Sequence, residues 1–446
     1  MSIIPPTSPV PPAPPVVHHT TCRVCGGSLE TVIDLGIHQL STFPETPDGI
    51  IGPAAPLVLT ACQGHCGLFQ LADTVSPELL YREYWYRSGV NEMMRANLKD
   101  VVAQALRTVD VHADDFVLDI GANDGTLLSY YRQHGAQARR VAVEPARNVR
   151  AALEKNAAPG FVYDGFFPVR SNVGMGPLAH DGVFKVITSI AMFYDLEDPN
   201  AFVAEIRRIL APDGIWILEV GYLPWMLERG VFDMICHEHL EYYTLDVLSD
   251  ILLHHELEIV DASLNETNGQ SLRLVVTHEA SSLPRASGIT VRFEAASGLD
   301  SILEREVKLV TPAKIDRFRQ KVESLKRRIV ELIEQALELG WVIDLYGAST
   351  KGNTLLQYCE LGYPDIRQAL DRAPEKWGRY TVGSGIPIIS DQNSVFAYAG
   401  RADLLLCPIW QFKPAVLERE RAYLESGGRI LFPMPEPEIV KMDGTS

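Results

Sequence analysis

Cys236-His-Glu-His-Leu-Glu-Tyr-Tyr-Thr244 is the densest collection of groups able to move a proton in this chain. Imidazole titrates near neutrality and a neighbouring carboxylate can fix its tautomer, so His237, Glu238 and His239 read as a general base with its partners. A metal site is the weaker reading: two histidines at i and i+2 have no third ligand at a suitable spacing, and H-E-x-x-H is absent. A solvated charged turn is the bland alternative. The second constellation is Val117-Leu-Asp-Ile-Gly-Ala-Asn-Asp-Gly-Thr-Leu-Leu128, which reads as a buried strand, an acid, a glycine turn and the start of a helix. Backbone bared at Gly121 and Gly125 lets a ligand lie against the carboxyl end of a parallel strand. Roughly twenty residues on, Arg140-Val-Ala-Val-Glu144 ends in an acid suited to a ribose diol. The pair reads as a nucleoside site.

What the turn lacks narrows the nucleoside. Gly121-Ala-Asn-Asp-Gly125 is not G-x-G-x-x-G, so a diphosphate on a helix N-terminus is poorly provided for, and Asp124 would repel it. Asp119 and Asp124 suit a cationic cofactor instead. This D-x-G-x-x-x-G pattern with its following Glu resembles motif I of the class I S-adenosylmethionine methyltransferases, which implies cofactor contacts from Asp119, Gly121, Asn123, Gly125 and Glu144, with Ser189 at a later strand end. An ordinary strand, turn and helix of an α/β protein is the competing reading.

Four of seven cysteines fall in two knuckles, Cys22-Arg-Val-Cys25 and Cys62-Gln-Gly-His-Cys66. Together they predict one structural, tetrahedral zinc site of thiolates, with His65 left open as a replacement for Cys62 or Cys66. A closed site of this kind has no free position for catalysis. Cys236, Cys359 and Cys407 stand alone and are read as buried thiols.

Elements must position these groups. Residues 1–19 read as a disordered, polyproline-like leader. Residues 20–75 read as a zinc-binding domain too small to hold itself without the metal. The span from Ser76 to Leu106 is predicted helical and carries Tyr81, Tyr84, Trp85 and Tyr86, which line a pocket or simply pack. Strands then alternate with helices from Val117 to Glu219, and an edge hairpin from Leu257 to Thr277 closes a parallel, doubly wound sheet within residues 76–280. Ala313 to Leu339 is expected to be a long amphipathic helix, a solvated strut. Beyond it, Trp341-Val-Ile-Asp-Leu-Tyr346 runs into Gly347-Ala-Ser-Thr-Lys-Gly352, so residues 281–446 are expected to hold a second Rossmann-like unit. Ser349, Thr350, Lys351 and the turn amides are candidates to hold a phosphate.

With 40 basic against 57 acidic residues the net charge is −17, which works against nucleic acid as a partner. No apolar run is long enough to cross a membrane, and a cytoplasmic monomer or weak homo-oligomer acting on a small molecule is expected.

The paired cysteines, motif I, Glu-His-Leu-x-Tyr-Tyr, the hairpin Asn268-Gly-Gln-Ser-Leu-Arg273 and Tyr346-Gly-Ala-Ser-Thr-Lys-Gly-Asn353 occur in one order, and over about Thr21 to Met434 the chain resembles the nucleotide-sugar C-methyltransferases. The resemblance implies a class I methyltransferase sheet between a small zinc domain and a Rossmann-like substrate domain. It also implies S-adenosylmethionine and structural zinc, bound by Cys22, Cys25, Cys62 and Cys66, and a dTDP-linked deoxy-keto-sugar methylated at carbon. His239 then matches the base and Glu238 the acid beside it, with His237 and Tyr194 near them. Tyr86, Asn91, Tyr222, Arg273, Ser349, Lys351 and Asn353 are the substrate-binding candidates. The chain departs from the family at Cys236, where a Tyr is common, at Tyr194, in place of a His, and in Tyr86-Arg-Ser-Gly-Val-Asn91. The rival readings are an O-methyltransferase of a sugar or natural-product hydroxyl, a dehydrogenase that neither glycine turn fits, and a non-catalytic zinc-containing scaffold.

Overall fold

A computed structural model describes residues 16–47, 54–158, 160–169, 176–281, 299–391 and 401–442. All but the last four residues of the Pro-rich leader lie outside these. Those four are not disordered: β1 (Val17–His18) pairs antiparallel with β5 (Asp73–Thr74), and the His18 ring lies 2.9 Å from the Asp73 carboxylate. Between them β2 (Leu29–Gln39), β3 (Ala54–Cys62) and β4 (Phe69–Leu71) form an antiparallel sheet. Leu57, Leu59 and Ala61 alternate inward along β3, the period of a half-buried strand.

The expected helix at 76–106 is broken. Pro77–Tyr81 is helical, a loop carries Tyr84 to Arg87, and a new helix runs Glu92–Thr108. Asn91 starts that second helix as its N-cap, its side chain accepting from the amides of Met93 and Met94.

The middle sheet contains β6 (Phe116–Ile120), β7 (Arg139–Glu144), β8 (Gly160–Asp164), β9 (Phe184–Ile190) and β10 (Leu210–Gly221), all parallel. After β11 (Glu241–Tyr242), the hairpin of β12 (Leu257–Asn265) and β13 (Ser271–His278) adds antiparallel to β10. The order is β12-β13-β10-β9-β6-β7-β8. Strand order reverses at β6, so the crevice beyond the carboxyl ends of β6 and β9 is where such a sheet takes a ligand. The strands there are Val, Ile and Leu runs buried on both faces, as a covered parallel sheet requires.

β11 does not join this sheet. It pairs with β4, so the first sheet reads β11-β4-β3-β2, and the proton-transfer turn is stitched to the N-terminal domain.

The helix Pro312–Glu338 is not a solvated strut. Phe318, Val322, Leu325, Ile329, Leu332, Ile333 and Ala336 recur at three and four residues and bury one face in a core shared with the first sheet and the last domain. Arg319 fastens it to β2 through the carbonyls of Thr31 and Val32. The last sheet, β14 (Ile343–Tyr346), β15 (Ala369–Asp371), β16 (Ile388–Ser390), β17 (Leu404–Leu406), β18 (Arg429–Phe432) and β19 (Glu438–Val440), is ordered β16-β15-β14-β17-β18-β19 and parallel except for β19. Among the described residues no helix is long and apolar enough to cross a membrane.

Candidate active site

A cleft of about 210 Å³ opens beyond β6 and β9. Its floor is Asp119 to Asn123, with Glu144 and Pro145 at the end of β7. Gly121 takes φ +70°, and a Cβ there would meet Met192, so the turn itself requires the bare backbone. Asn123 holds φ +50° without being glycine; its side chain accepts from the Ser88 amide and donates to the Tyr86 carbonyl, which ties the turn to the aromatic loop above it. Both oxygens of Glu144 already accept backbone amides, from Asn123 at 2.6 Å and Ala146 at 2.7 Å. Each keeps a lone pair for a diol, and the carboxylate is held rigid.

The charge of the cleft decides what fits it. Asp119, Glu144, Asp195 and Glu238 line it, with Lys351 and His239 as the basic side chains among the described lining residues. Burial pushes Asp119 up to about 7 despite the hydrogen bond from the Thr188 hydroxyl, and the nearby Glu144 and Asp124 add to the shift. Burial likewise raises Glu144, Glu238 and Asp195, the last well above the usual carboxylate range. Carboxyl groups crowded into one dry site gain from an arriving cation. The sulfonium and ammonium of S-adenosylmethionine supply that charge, and the carboxylate of Glu144 suits a ribose diol.

The proton-transfer turn enters from the opposite wall. His239 Nδ1 lies 2.8 Å from the Met234 carbonyl, which can only accept, so Nδ1 carries the hydrogen and Nε2 keeps the lone pair. The Tyr194 ring packs edge-on at 4.5 Å. Burial, reinforced by the Lys351 charge, lowers His239 to about 3, so it stays neutral in the free protein. Tyr81 donates to the Glu238 carbonyl at 2.5 Å. The cleft therefore brings together Asp119, Gly121, Asn123, Glu144, Tyr86, Tyr194, Glu238, His239 and Lys351.

Other expected site residues fall elsewhere. His237 faces the first sheet, its Nε2 3.2 Å from the Ala55 carbonyl. Gly125 caps the helix after β6, where a Cβ would meet Leu153 and Asn156, so it serves helix packing. Ser189 is sealed and accepts from the Trp216 indole. Asn91 is the helix cap described above. Tyr222 lines a small side pocket behind His239. Ser349 caps the helix Thr350–Tyr358 by accepting from the Gly352 amide, which spends an amide that a phosphate would need. Asn353 is 1% exposed, outside the residues that line the cleft, and both its amide atoms are without a partner.

Arg273 is a buried brace between Glu219, Asp100, Asn97 and Gln104. Arg273→Met should therefore cost about 3–5 kcal/mol in urea unfolding by stranding Glu219, with S-adenosylhomocysteine affinity held within about threefold. Unchanged stability with weakened ligand binding would return Arg273 to the ligand.

Two contributors had no sequence signal. Asp195, with Oδ1 unpartnered, belongs to no motif. Met234 holds the His239 ring through its backbone, which residue identity cannot announce.

The four thiols of Cys22, Cys25, Cys62 and Cys66 all lie within 4.8 Å of one another, three of the separations being 3.4, 3.4 and 3.5 Å. Four ligands at Zn–S 2.3 Å on a tetrahedron stand about 3.8 Å apart, so the set fits zinc closely. The Gly64 amide donates to Cys62 Sγ at 3.2 Å, which favours thiolate. His65 is exposed and outside the group, so the set that could hold zinc consists of four cysteines.

The chain matches a zinc binding domain family over residues 22–81, a methyltransferase domain family over 90–262 and the C-methyltransferase C-terminal domain family over 266–435. The C-methyltransferase NovU of Streptomyces niveus is 28% identical over 428 residues, 95% of this chain and 97% of that protein. Among solved structures, the glycopeptide N-methyltransferase MtfA complexed with S-adenosylmethionine is 12% identical at TM-score 0.31, over 44% of this chain and 96% of that one. The magnesium protoporphyrin IX methyltransferase of Synechocystis is 14% identical at TM-score 0.32, over 42% and 88%. With its domains in this order, its thiol tetrad and its acid-lined cleft, the chain is an S-adenosylmethionine-dependent methyltransferase that carries a zinc-binding domain and is similar to C-methyltransferases.

Proposed function

We propose that the acceptor is a carbon next to the ketone of a nucleotide-activated deoxy-keto-sugar, and that His239 is the base. The observation that carries this reading is the Nδ1 contact to the Met234 carbonyl, which leaves Nε2 free in the tautomer a base needs, beside the cofactor floor. A proton α to a ketone is acidic; its transfer to Nε2 leaves an enolate whose electron pair is shared between carbon and oxygen. S-adenosylmethionine supplies the methyl group that this carbon takes. Asp119 and Glu144 hold the cofactor, Glu238 and Tyr194 pack the base in place, and Tyr81, Tyr84 and Tyr86 keep water out of the cleft. The name of NovU supports methylation at carbon. The reduced thiolates of the zinc site fit a cytoplasmic setting.

The test is mass spectrometry of nucleotide keto-sugars, dTDP-4-keto-6-deoxyglucose among them, in deuterated water with and without S-adenosylmethionine. Deuterium is expected at one ring carbon without the cofactor, and a methyl group on that carbon with it. Methyl found on oxygen, or no deuterium in any sugar of the panel, would overturn the reading.

A further inference from the structure

The notable group outside this account is Lys351. It comes from the last domain, yet it lines the cleft of the middle one. Its ammonium donates to the Met234 thioether at 2.8 Å, a weak acceptor for a full charge. Met234 thus holds both groups: its carbonyl takes the His239 Nδ1–H and its sulfur takes the Lys351 ammonium, each at 2.8 Å. The Tyr242 hydroxyl also donates to that carbonyl, at 3.2 Å.

A phosphate role explains this poorly. No arginine or second lysine joins Lys351 among the described lining residues, and the Gly352 amide beside it is already taken by Ser349. Diphosphate sites gather several donors; this cation stands next to a base. We propose that Lys351 is a catalytic residue, its ammonium hydrogen-bonding the ketone oxygen and stabilising the enolate formed when His239 takes the neighbouring proton. This rests on the enolate reading above.

The charges balance. The C–H bond breaks, its proton goes to His239 Nε2, and its electron pair moves towards oxygen, so neutral base and ketone become imidazolium and enolate. Lys351 alone would oppose the imidazolium, and it does hold His239 down. A ketone oxygen lying between them turns that opposition into stabilisation, because the new negative charge is nearer the ammonium. Glu238, Asp195 and Asp233 also feel the Lys351 charge, and burial raises all three carboxyls.

The experiment is deuterium exchange into dTDP-4-keto-6-deoxyglucose without S-adenosylmethionine, comparing wild type, Lys351→Met and Lys351→Arg, with dTDP and S-adenosylhomocysteine affinities measured alongside. Lys351→Met should exchange about 100-fold more slowly at saturating sugar, with both affinities within about threefold, and Lys351→Arg should recover part of the rate. The acid limb of its pH profile should also move up, since His239 is released from a neighbouring charge, a shift that mere loss of packing would not produce. Exchange by Lys351→Met at the wild-type rate overturns the proposal. So does a loss confined to dTDP affinity, which would give Lys351 to the diphosphate. A wild type that exchanges nothing removes the enolate reading itself, and this inference with it.

Discussion

His239→Ala is expected to lose methyl transfer by about 10²–10⁴-fold, the usual contribution of a positioned general base. Deuterium exchange into the sugar should fall by the same factor. Affinity for S-adenosylhomocysteine should not change, because Asp119, Gly121 and Glu144 sit on the strand ends and owe nothing to the turn that carries His239. His239→Gln keeps a polar side chain there without a base, so it separates chemistry from folding. Turnover by either variant at the wild-type rate would take His239 out of its role. The pH behaviour follows from the same burial. His239 is lowered to about 3 and His237 to about 4, so both stay neutral in the folded chain where the unfolded chain begins to take up protons. Their contribution to stability is complete above about 6.5, the unfolded value, and is lost as pH falls from there towards 4 and 3. In the free enzyme, loss of kcat/KM from protonation of His239 should begin well below 6.5; a limb centred at 6.5 would show an exposed ring.

Removing zinc should do comparable damage from farther away. Structural zinc in small thiolate sites binds with about 10–16 kcal/mol, and two of the four thiols that would hold it belong to the Cys22–Cys25 loop. That loop carries Arg23, whose side chain is 2% exposed, donates to the Leu71 carbonyl and lies 3.7 Å from the buried Glu241. Glu241 and Tyr242 pair with β4, and the Leu71 amide donates to the Leu240 carbonyl, so the chain beside His239 is held by strands that the metal organises. Chelation, or Cys25→Ser, is expected to lower methyl transfer and deuterium exchange together, at least about 100-fold, while S-adenosylhomocysteine binding falls far less. Metal content and rate should decline in step. A zinc-free protein with full activity would contradict this coupling.

Much of the architecture was legible because its signals are local. β9 runs over the expected Phe184 to Ile190, and the glycine turn follows β6 where the spacing placed it. The cysteine knuckles do bring their four thiols together, since thiol spacing is itself much of the geometry. Legibility ended where a role depends on a distant partner. The buried face of Pro312–Glu338 was written in its apolar spacing, but its many Lys, Arg and Glu residues read as solvent on every side. Arg273 sits in a motif that resembles a substrate site, and only the fold shows Glu219, Asp100 and Asn97 around it. Lys351 looked like a phosphate ligand from its turn, and its place beside Met234 depends on how two domains close on each other.

The pairing of β11 with β4 has an evolutionary corollary. A crossover near residue 75 that traded this front module for a relative's would trade half of a shared ladder, leaving Glu241 and Tyr242 to pair with a foreign edge. Acceptor preference in this lineage should therefore diversify most easily through the far end of the polypeptide, while front and centre are inherited as one block.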